Sequence, residues 1–110
     1  MKGVVTYNKD KIKKGGIIMK AVLKDTVLAD SNQTEVVESN HYFPREDVKT
    51  EYLKASDKQY TCPWKGEATY YHIDTGDERK ENGAWSYDTP KDAAKNIAGY
   101  ICFDKSLVSE

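Results

Sequence analysis

The feature that most constrains the fold is a series of short β-forming segments, separated by turn residues, that begins at Met19. Ala21 and Leu23 alternate with lysines, as in a strand with one buried face. Residues 27–30 and 34–38 have the same character and follow tight turn signals. Parallel strands need crossover connections of a dozen or more residues, and most of the connections here are shorter. The pattern therefore predicts antiparallel pairing.

The second half of the chain continues this pattern, with a charged loop predicted at residues 78–83. We expect about six to eight strands in total, from the regular spacing of the strand signals. The further predicted strands are residues 59–61, 67–73, 84–87 and 100–103.

Two segments carry helix signals. Pro44 is followed by Glu46 and Asp47, which suit the first turn of a helix, so residues 45–54 are predicted to form a short amphipathic helix. A second short helix is predicted after Pro90, with Ala93, Ala94 and Ile97 as its apolar stripe and Gly99 as its stop.

Length and composition agree with a small packed domain. The chain has 110 residues, enough for one modest core, and its 12 aromatic residues argue against disorder. We therefore expect residues 19–110 to form a single β-rich domain. The predicted fold is mainly β, a single compact antiparallel curved sheet or barrel-like domain with two short helices.

Residues 1–18 look unlike the rest, because the run at 9–16 is basic, ends in two glycines and lacks sustained periodicity. Three interpretations remain open: a basic arm that contacts an anionic partner, a disordered tail, and a mis-assigned extension. Reverse translation favours the last, because codons for residues 14–16 can spell a bacterial ribosome-binding site ahead of Met19. We expect this N-terminal extension to be dispensable, with Met19 as the natural start.

Charge and cysteine content limit the partners and the compartment. The net charge of −1 provides no global field for nucleic acid or a membrane surface, so neither partner is expected. The chain has no long apolar run and no signal-peptide core, which favours a cytoplasmic protein. Cys62 and Cys102 are then expected to be reduced thiols without a disulfide. No metal site and no cofactor are predicted, and the oligomeric state stays open.

Two short blocks hold the residues with the most chemistry: Cys62-Pro63-Trp64-Lys65-Gly66 and Ala84-Trp85-Ser86-Tyr87. Cys62 is a candidate nucleophile if its pKa falls beside Lys65, and otherwise a buried structural thiol. Lys65 is a candidate amine nucleophile or anchor for an anion, and otherwise a surface lysine after a turn. Pro63 and Gly66 favour a bend in this block.

Several aromatic and polar side chains are candidates to bind a ligand, and core packing is their alternative role. The candidate ligand-binding residues are Asn40, Tyr42, Trp64, Trp85 and Tyr87.

Four further titratable residues are candidate acid–base catalysts. Glu38 and Asp88 could act as an acid–base pair, but surface solvation is the favoured interpretation. His41 and His72 are interpreted as satisfied polar residues rather than catalysts.

The blocks taken together resemble the bacterial domain-of-unknown-function family 427. The resemblance rests on an Asn-aromatic-Phe-Pro block at residues 40–44, the blocks at 62–66 and 84–87, then Pro90 and the Gly99-Tyr100 pair. It covers residues 19–103 and implies a mainly β fold with a compact curved sheet or barrel. The family is sometimes labelled nucleotidyltransferase-like. This chain lacks both the Gly-Ser pair with paired aspartates and the Lys-x-Asp-Gly block used in nucleotidyl transfer.

Three functions remain open at this point. The leading hypothesis is a binding module for a small anionic or aromatic ligand, in a pocket between the 62–66 and 84–87 blocks. The first alternative is an enzyme that uses Cys62 or Lys65 as its reactive group. The second alternative is an interaction domain without a pocket.

Overall fold

The computed structural model of the protein describes residues 17–110, which fold into nine strands in two antiparallel sheets. The strands are β1 (Met19–Leu23), β2 (Thr26–Ser31), β3 (Glu35–Val37), β4 (Asn40–Phe43), β5 (Leu53–Cys62), β6 (Gly66–Asp74), β7 (Arg79–Ser86), β8 (Ile101–Phe103) and β9 (Val108–Ser109). The small sheet has the order β2-β1-β9, and the large sheet has the order β3-β4-β8-β7-β6-β5.

One hydrophobic core lies on the side of the large sheet where β1 and β2 also pack. Side chains alternate along a strand, so Phe43, Ala84 and Ile101 point to this side together with Phe103. The rings of Phe43 and Phe103 meet edge to face, with their centroids 5.5 Å apart. Strand β1 contributes Met19, Ala21 and Leu23 to this core.

A second cluster occupies the opposite face of the large sheet. Residues paired across β4, β8, β7 and β6 form one row: Tyr42, Cys102, Trp85 and Tyr70. Ala94 and Ile97, from the segment after β7, cover part of this row. The row therefore brings distant parts of the sequence onto one face, and the candidate site lies beside it.

The mainly β, antiparallel prediction is confirmed, but the finer architecture differs from the expectation. The described residues form two sheets rather than one, and neither closes into a barrel. Their nine strands exceed the six to eight predicted. One additional strand is β9, which pairs with β1. Residues 79–83, predicted as a loop, also lengthen β7, where Lys80 pairs with Ile73 across a register shift.

The two predicted helices are also wrong, because only 3₁₀ turns form in the described residues. The first segment forms two such turns, Arg45–Asp47 and Thr50–Tyr52, separated by an extended Val48 that bridges to Ala29 of β2. This bridge holds the chain against the small sheet and interrupts the helical pattern.

The second helix is replaced by 3₁₀ turns over Asp92–Ile97, interrupted at Ala94 (φ −120°, ψ 22°). The predicted apolar stripe nevertheless holds in part, since Ala94 and Ile97 are buried. The predicted stop is also observed, because Gly99 has a φ of +76°.

The prediction for residues 1–18 lies outside the described residues except at Ile17 and Ile18, both of which are exposed. Within residues 17–110, no helix is long and apolar enough to cross a membrane.

Candidate functional site

The 62–66 block forms the turn between β5 and β6. Cys62 pairs with Gly66, and Gly66 takes the positive φ of +109° expected at this bend. The segment after β7 fixes the outer side of the turn. There, the Lys91 backbone N–H donates to the Lys65 carbonyl at 2.9 Å, and the Lys91 ammonium donates to the Pro63 carbonyl at 2.7 Å.

Lys65 is buried within this turn, so its interpretation as a surface lysine is wrong. Its side chain is 6% exposed, and its ammonium forms an ion pair with Glu38. Two aromatic rings flank Lys65 Nζ: the centroid of Trp64 lies at 4.8 Å and that of Tyr87 at 5.5 Å. The 62–66 and 84–87 blocks are therefore in direct contact through Lys65 and Tyr87.

Glu38 is the residue that sequence reasoning assigned to the surface. Its side chain is half-exposed, but its two carboxylate oxygens accept from two donors of the 62–66 block. Lys65 Nζ donates to Oε1, and Trp64 Nε1 donates to Oε2 at 3.2 Å. These hydrogen bonds lower the pKa of Glu38 below its usual range. Glu38 therefore remains ionised opposite the Lys65 ammonium at neutral pH.

The turn that carries Glu38 has an unusual backbone. Glu38 and Ser39 connect β3 to β4 with φ values of 55° and 66°, the left-handed region of a type I′ hairpin turn. Such turns favour Asn-Gly, because left-handed backbone costs other residues about 1–2 kcal/mol each. The Glu-Ser pair gives no sequence signal for this turn. The contact between this β3–β4 turn and the 62–66 block could therefore not be predicted from local sequence patterns.

Cys62 is buried at the end of β5, next to Lys65. Burial raises the pKa of its thiol, but hydrogen bonds to the sulfur from the backbone N–H groups of Lys65 and Trp64 lower it, as does the Lys65 side chain. The net pKa lies below that of an ordinary cysteine. This is the electropositive environment that favours a thiolate.

Cys102 is also buried and free, but burial raises the pKa of its thiol to about 12. It packs in the same cluster as Cys62, Tyr42 and Tyr87. Of the two thiols, Cys62 is thus the one whose surroundings favour reaction.

The aromatic candidates Tyr42, Tyr87 and Trp85 extend from Lys65 along the sheet. Tyr42 and Tyr87 are almost fully buried, and their ring centroids lie 6.4 Å apart. Trp85 is half-buried and its Nε1 donates to the Tyr42 hydroxyl at 3.4 Å. Burial raises the pKa of Tyr42 to about 12 and also raises that of Tyr87. Both phenols are therefore neutral at pH 7.

Asn40 and Trp64 lie at the outer edge of the site. Asn40 directly follows the Glu38 turn and is half-buried; it lies on the same side of β4 as Tyr42, two residues later. Trp64 is 39% exposed and partly shields Lys65 from solvent. Trp64 and Glu38 therefore lie between the buried ammonium and water.

A cavity of about 240 Å³ lies further along the sheet, lined by residues 56–59 of β5 and 67–70 of β6. Its lining includes Tyr70, whose ring centroid lies 4.5 Å from Lys58 Nζ and 5.7 Å from that of Trp85. The cavity therefore borders the aromatic row rather than the 62–66 block.

The remaining titratable candidates form hydrogen bonds away from the 62–66 block. His41 Nδ1 shares a hydrogen bond with the Thr34 hydroxyl at 2.8 Å, and His72 Nδ1 accepts from the Asn82 backbone N–H at 3.0 Å. Asp88 accepts from Arg45 at 3.2 Å and from the Ser86 hydroxyl at 2.8 Å. Among residues 17–110, no group of three or more His, Cys, Asp or Glu side chains is placed to hold a metal ion.

A comparison with known protein families identifies the family to which these sequence blocks point. A family model described as a domain of unknown function, DUF427, and labelled NTP_transf_9, matches residues 12–110. The chain belongs to this family. The resemblance read from the sequence is thereby confirmed. A search of curated proteins found no relative of this DUF427 chain.

Proposed function

We propose that this DUF427 protein binds a small anionic compound, with the Lys65 ammonium as the charged anchor. The burial of Lys65 is the main support for this proposal. Lysine is almost never buried unpaired, because removing an ammonium from water is costly, and the partner of Lys65, Glu38, is itself half-exposed. The ammonium lies between two aromatic rings, behind side chains that are themselves half-exposed.

The surrounding side chains suit such a ligand. Trp64 and Tyr87 provide flat apolar surfaces next to the charge, and binding sites commonly combine apolar walls with a few placed polar groups. Asn40 and Trp85 lie on the same side of the sheet, where they would meet the remainder of a larger ligand. The ligand would therefore place its anionic group at Lys65 and its apolar part against the rings.

NMR titration of the full chain with sodium benzoate, sodium acetate and sodium phosphate tests the proposal. We expect at least one anion to shift the Trp64 indole N–H signal in the wild-type protein. Lys65→Met should abolish that shift, because it removes the ammonium and retains an unbranched side chain. Lys58→Met is the matched control, since it removes another ammonium that lies close to an aromatic ring. No anion-specific shift at Trp64 up to high millimolar concentration would favour the interaction-domain alternative instead.

A thiol-dependent enzyme is the second candidate, and the lowered pKa of Cys62 favours it. Its thiolate would attack an electrophilic carbonyl, with the leaving group departing as an anion. Incubation with p-nitrophenyl acetate should then release one equivalent of nitrophenolate and leave an acetyl group on Cys62. Cys102→Ser should retain this burst and Cys62→Ser should lose it. Equal bursts from both variants would reject Cys62 as a nucleophile.

A further inference from the structure

We propose that the ligand of the Lys65 site carries a carboxylate, and that Glu38 occupies the position of that carboxylate in the free protein. This inference rests on the proposed function, since it specifies the ligand of the same site. It follows from the two hydrogen bonds that the Glu38 carboxylate accepts from Lys65 and Trp64.

The two donors match a single carboxyl group. Lys65 Nζ contacts Oε1 and Trp64 Nε1 contacts Oε2, so each oxygen of the same carboxylate receives one hydrogen bond. An ammonium and an indole N–H thus form a paired donor set, and charge-assisted hydrogen bonds of this kind are strong. A ligand carboxylate in the same place would satisfy both donors without any change in the 62–66 block.

Phosphate fits this donor set less well. It presents three or more oxygens that need donors or water, whereas the contacts to Glu38 provide two. The ring faces of Trp64 and Tyr87 beside Lys65 Nζ donate no hydrogen bonds to the remaining oxygens. The site therefore favours a carboxylate over a phosphate.

Exposure indicates the route by which Glu38 would be displaced. The Lys65 side chain is 6% exposed, whereas that of Glu38 is 52% exposed. The carboxylate of Glu38 thus lies between solvent and the ammonium. A carboxylate that enters from solvent meets the Glu38 position first, and Glu38 can move into water, where its charge is well solvated.

The experiment compares benzoate, acetate and inorganic phosphate on four proteins, the wild type and three variants, by NMR titration at constant ionic strength with sodium chloride. The variant Glu38→Gly removes the competing carboxylate and suits the positive φ at this position. We expect it to bind benzoate and acetate at least about tenfold more tightly than the wild type, the factor for an occupant that fills the site nine-tenths of the time. Ser39→Gly is the matched control, because it changes the same turn and retains the carboxylate.

A second variant, Glu38→Gln, tests the same inference if Glu38→Gly fails to fold. Glu38→Gln retains the side-chain length and removes the charge, and it should also bind the carboxylates more tightly. Equal carboxylate affinity in wild type, Glu38→Gly and Glu38→Gln would overturn the inference while leaving anion binding intact, as would tighter binding of phosphate than of acetate. Absence of binding to every protein, including the two Glu38 variants, would instead reject the proposed function itself.

Discussion

Cys62 and Cys102 pack in one buried cluster, yet the pKa values of their thiols shift in opposite directions. The difference arises from their neighbours. Both are penalised by burial, but Cys62 alone lies in the turn where two backbone N–H groups and the Lys65 side chain stabilise the thiolate. Position within one core therefore does not fix the chemistry of a thiol.

The two thiols should differ in reactivity. We expect iodoacetamide to modify Cys62 before Cys102 in the native protein, with a rate that rises at a lower pH than that of an ordinary cysteine. Peptide mass spectrometry across pH 6–9 measures both sites in one sample. Lys65→Met should move the Cys62 profile to higher pH. Faster modification of Cys102 would contradict this account.

The ion pair between Glu38 and Lys65 should make stability depend on pH in the acid range. The pKa of Glu38 is lower in the folded protein, so its contribution is complete above the unfolded pKa of about 4.3 and is lost as the pH falls through the folded value. Urea unfolding should show a steeper loss of stability below about pH 5 for wild type than for Glu38→Gln. Glu46→Gln, an exposed charge change, serves as the control. Parallel acid profiles for wild type and Glu38→Gln would contradict the pairing.

Gly83 should not tolerate a side chain. A Cβ at this position would lie 2.8 Å from Ile73 Cδ1, and Ile73 is fully buried, so its side chain would have to repack within the core. Gly83→Ala should destabilise the protein by about 1–3 kcal/mol, the usual cost of overpacking. Denaturant unfolding measures the loss. Adding Ile73→Val removes Cδ1, so the double variant should lose less than the sum of the two single changes.

The left-handed turn should gain stability from glycine. Ser39→Gly relieves a positive φ of 66° and should raise the free energy of unfolding by up to about 1 kcal/mol, since the relief exceeds the entropy that glycine costs. Ser39→Ala is the comparison, because it removes the same hydroxyl and retains Cβ. Thermal unfolding of the two variants measures the difference. Equal stability of both variants would show that the turn is unstrained.

Structural features that depend on local sequence patterns were predicted well. Alternation placed Ala21 and Leu23 correctly on the buried face of β1, because a half-buried strand leaves a period of two in the sequence. The bend at Gly66 and the stop at Gly99 followed from the positive φ that glycine permits. The blocks that identified the family are also local.

The helix predictions at residues 45–54 and after Pro90 failed for a tertiary reason. Capping residues and an apolar stripe describe what a segment prefers alone, but short helices are marginal without packing. Val48 instead bridges to β2, and the chain kinks at Ala94. In both segments, contacts with distant strands outweighed local preference.

The sequence by itself determined the β class and the family, and it singled out Cys62 and Lys65 as candidates, because these depend on residue type and short-range spacing. Only the tertiary structure decided that Lys65 is buried and that Glu38 is its partner. Glu38 and Lys65 are 27 positions apart in the sequence, and their pairing depends on how the β3–β4 turn meets the β5–β6 turn. Long-range pairing of this kind has no period in the sequence, since it is set by the order of strands within the sheet.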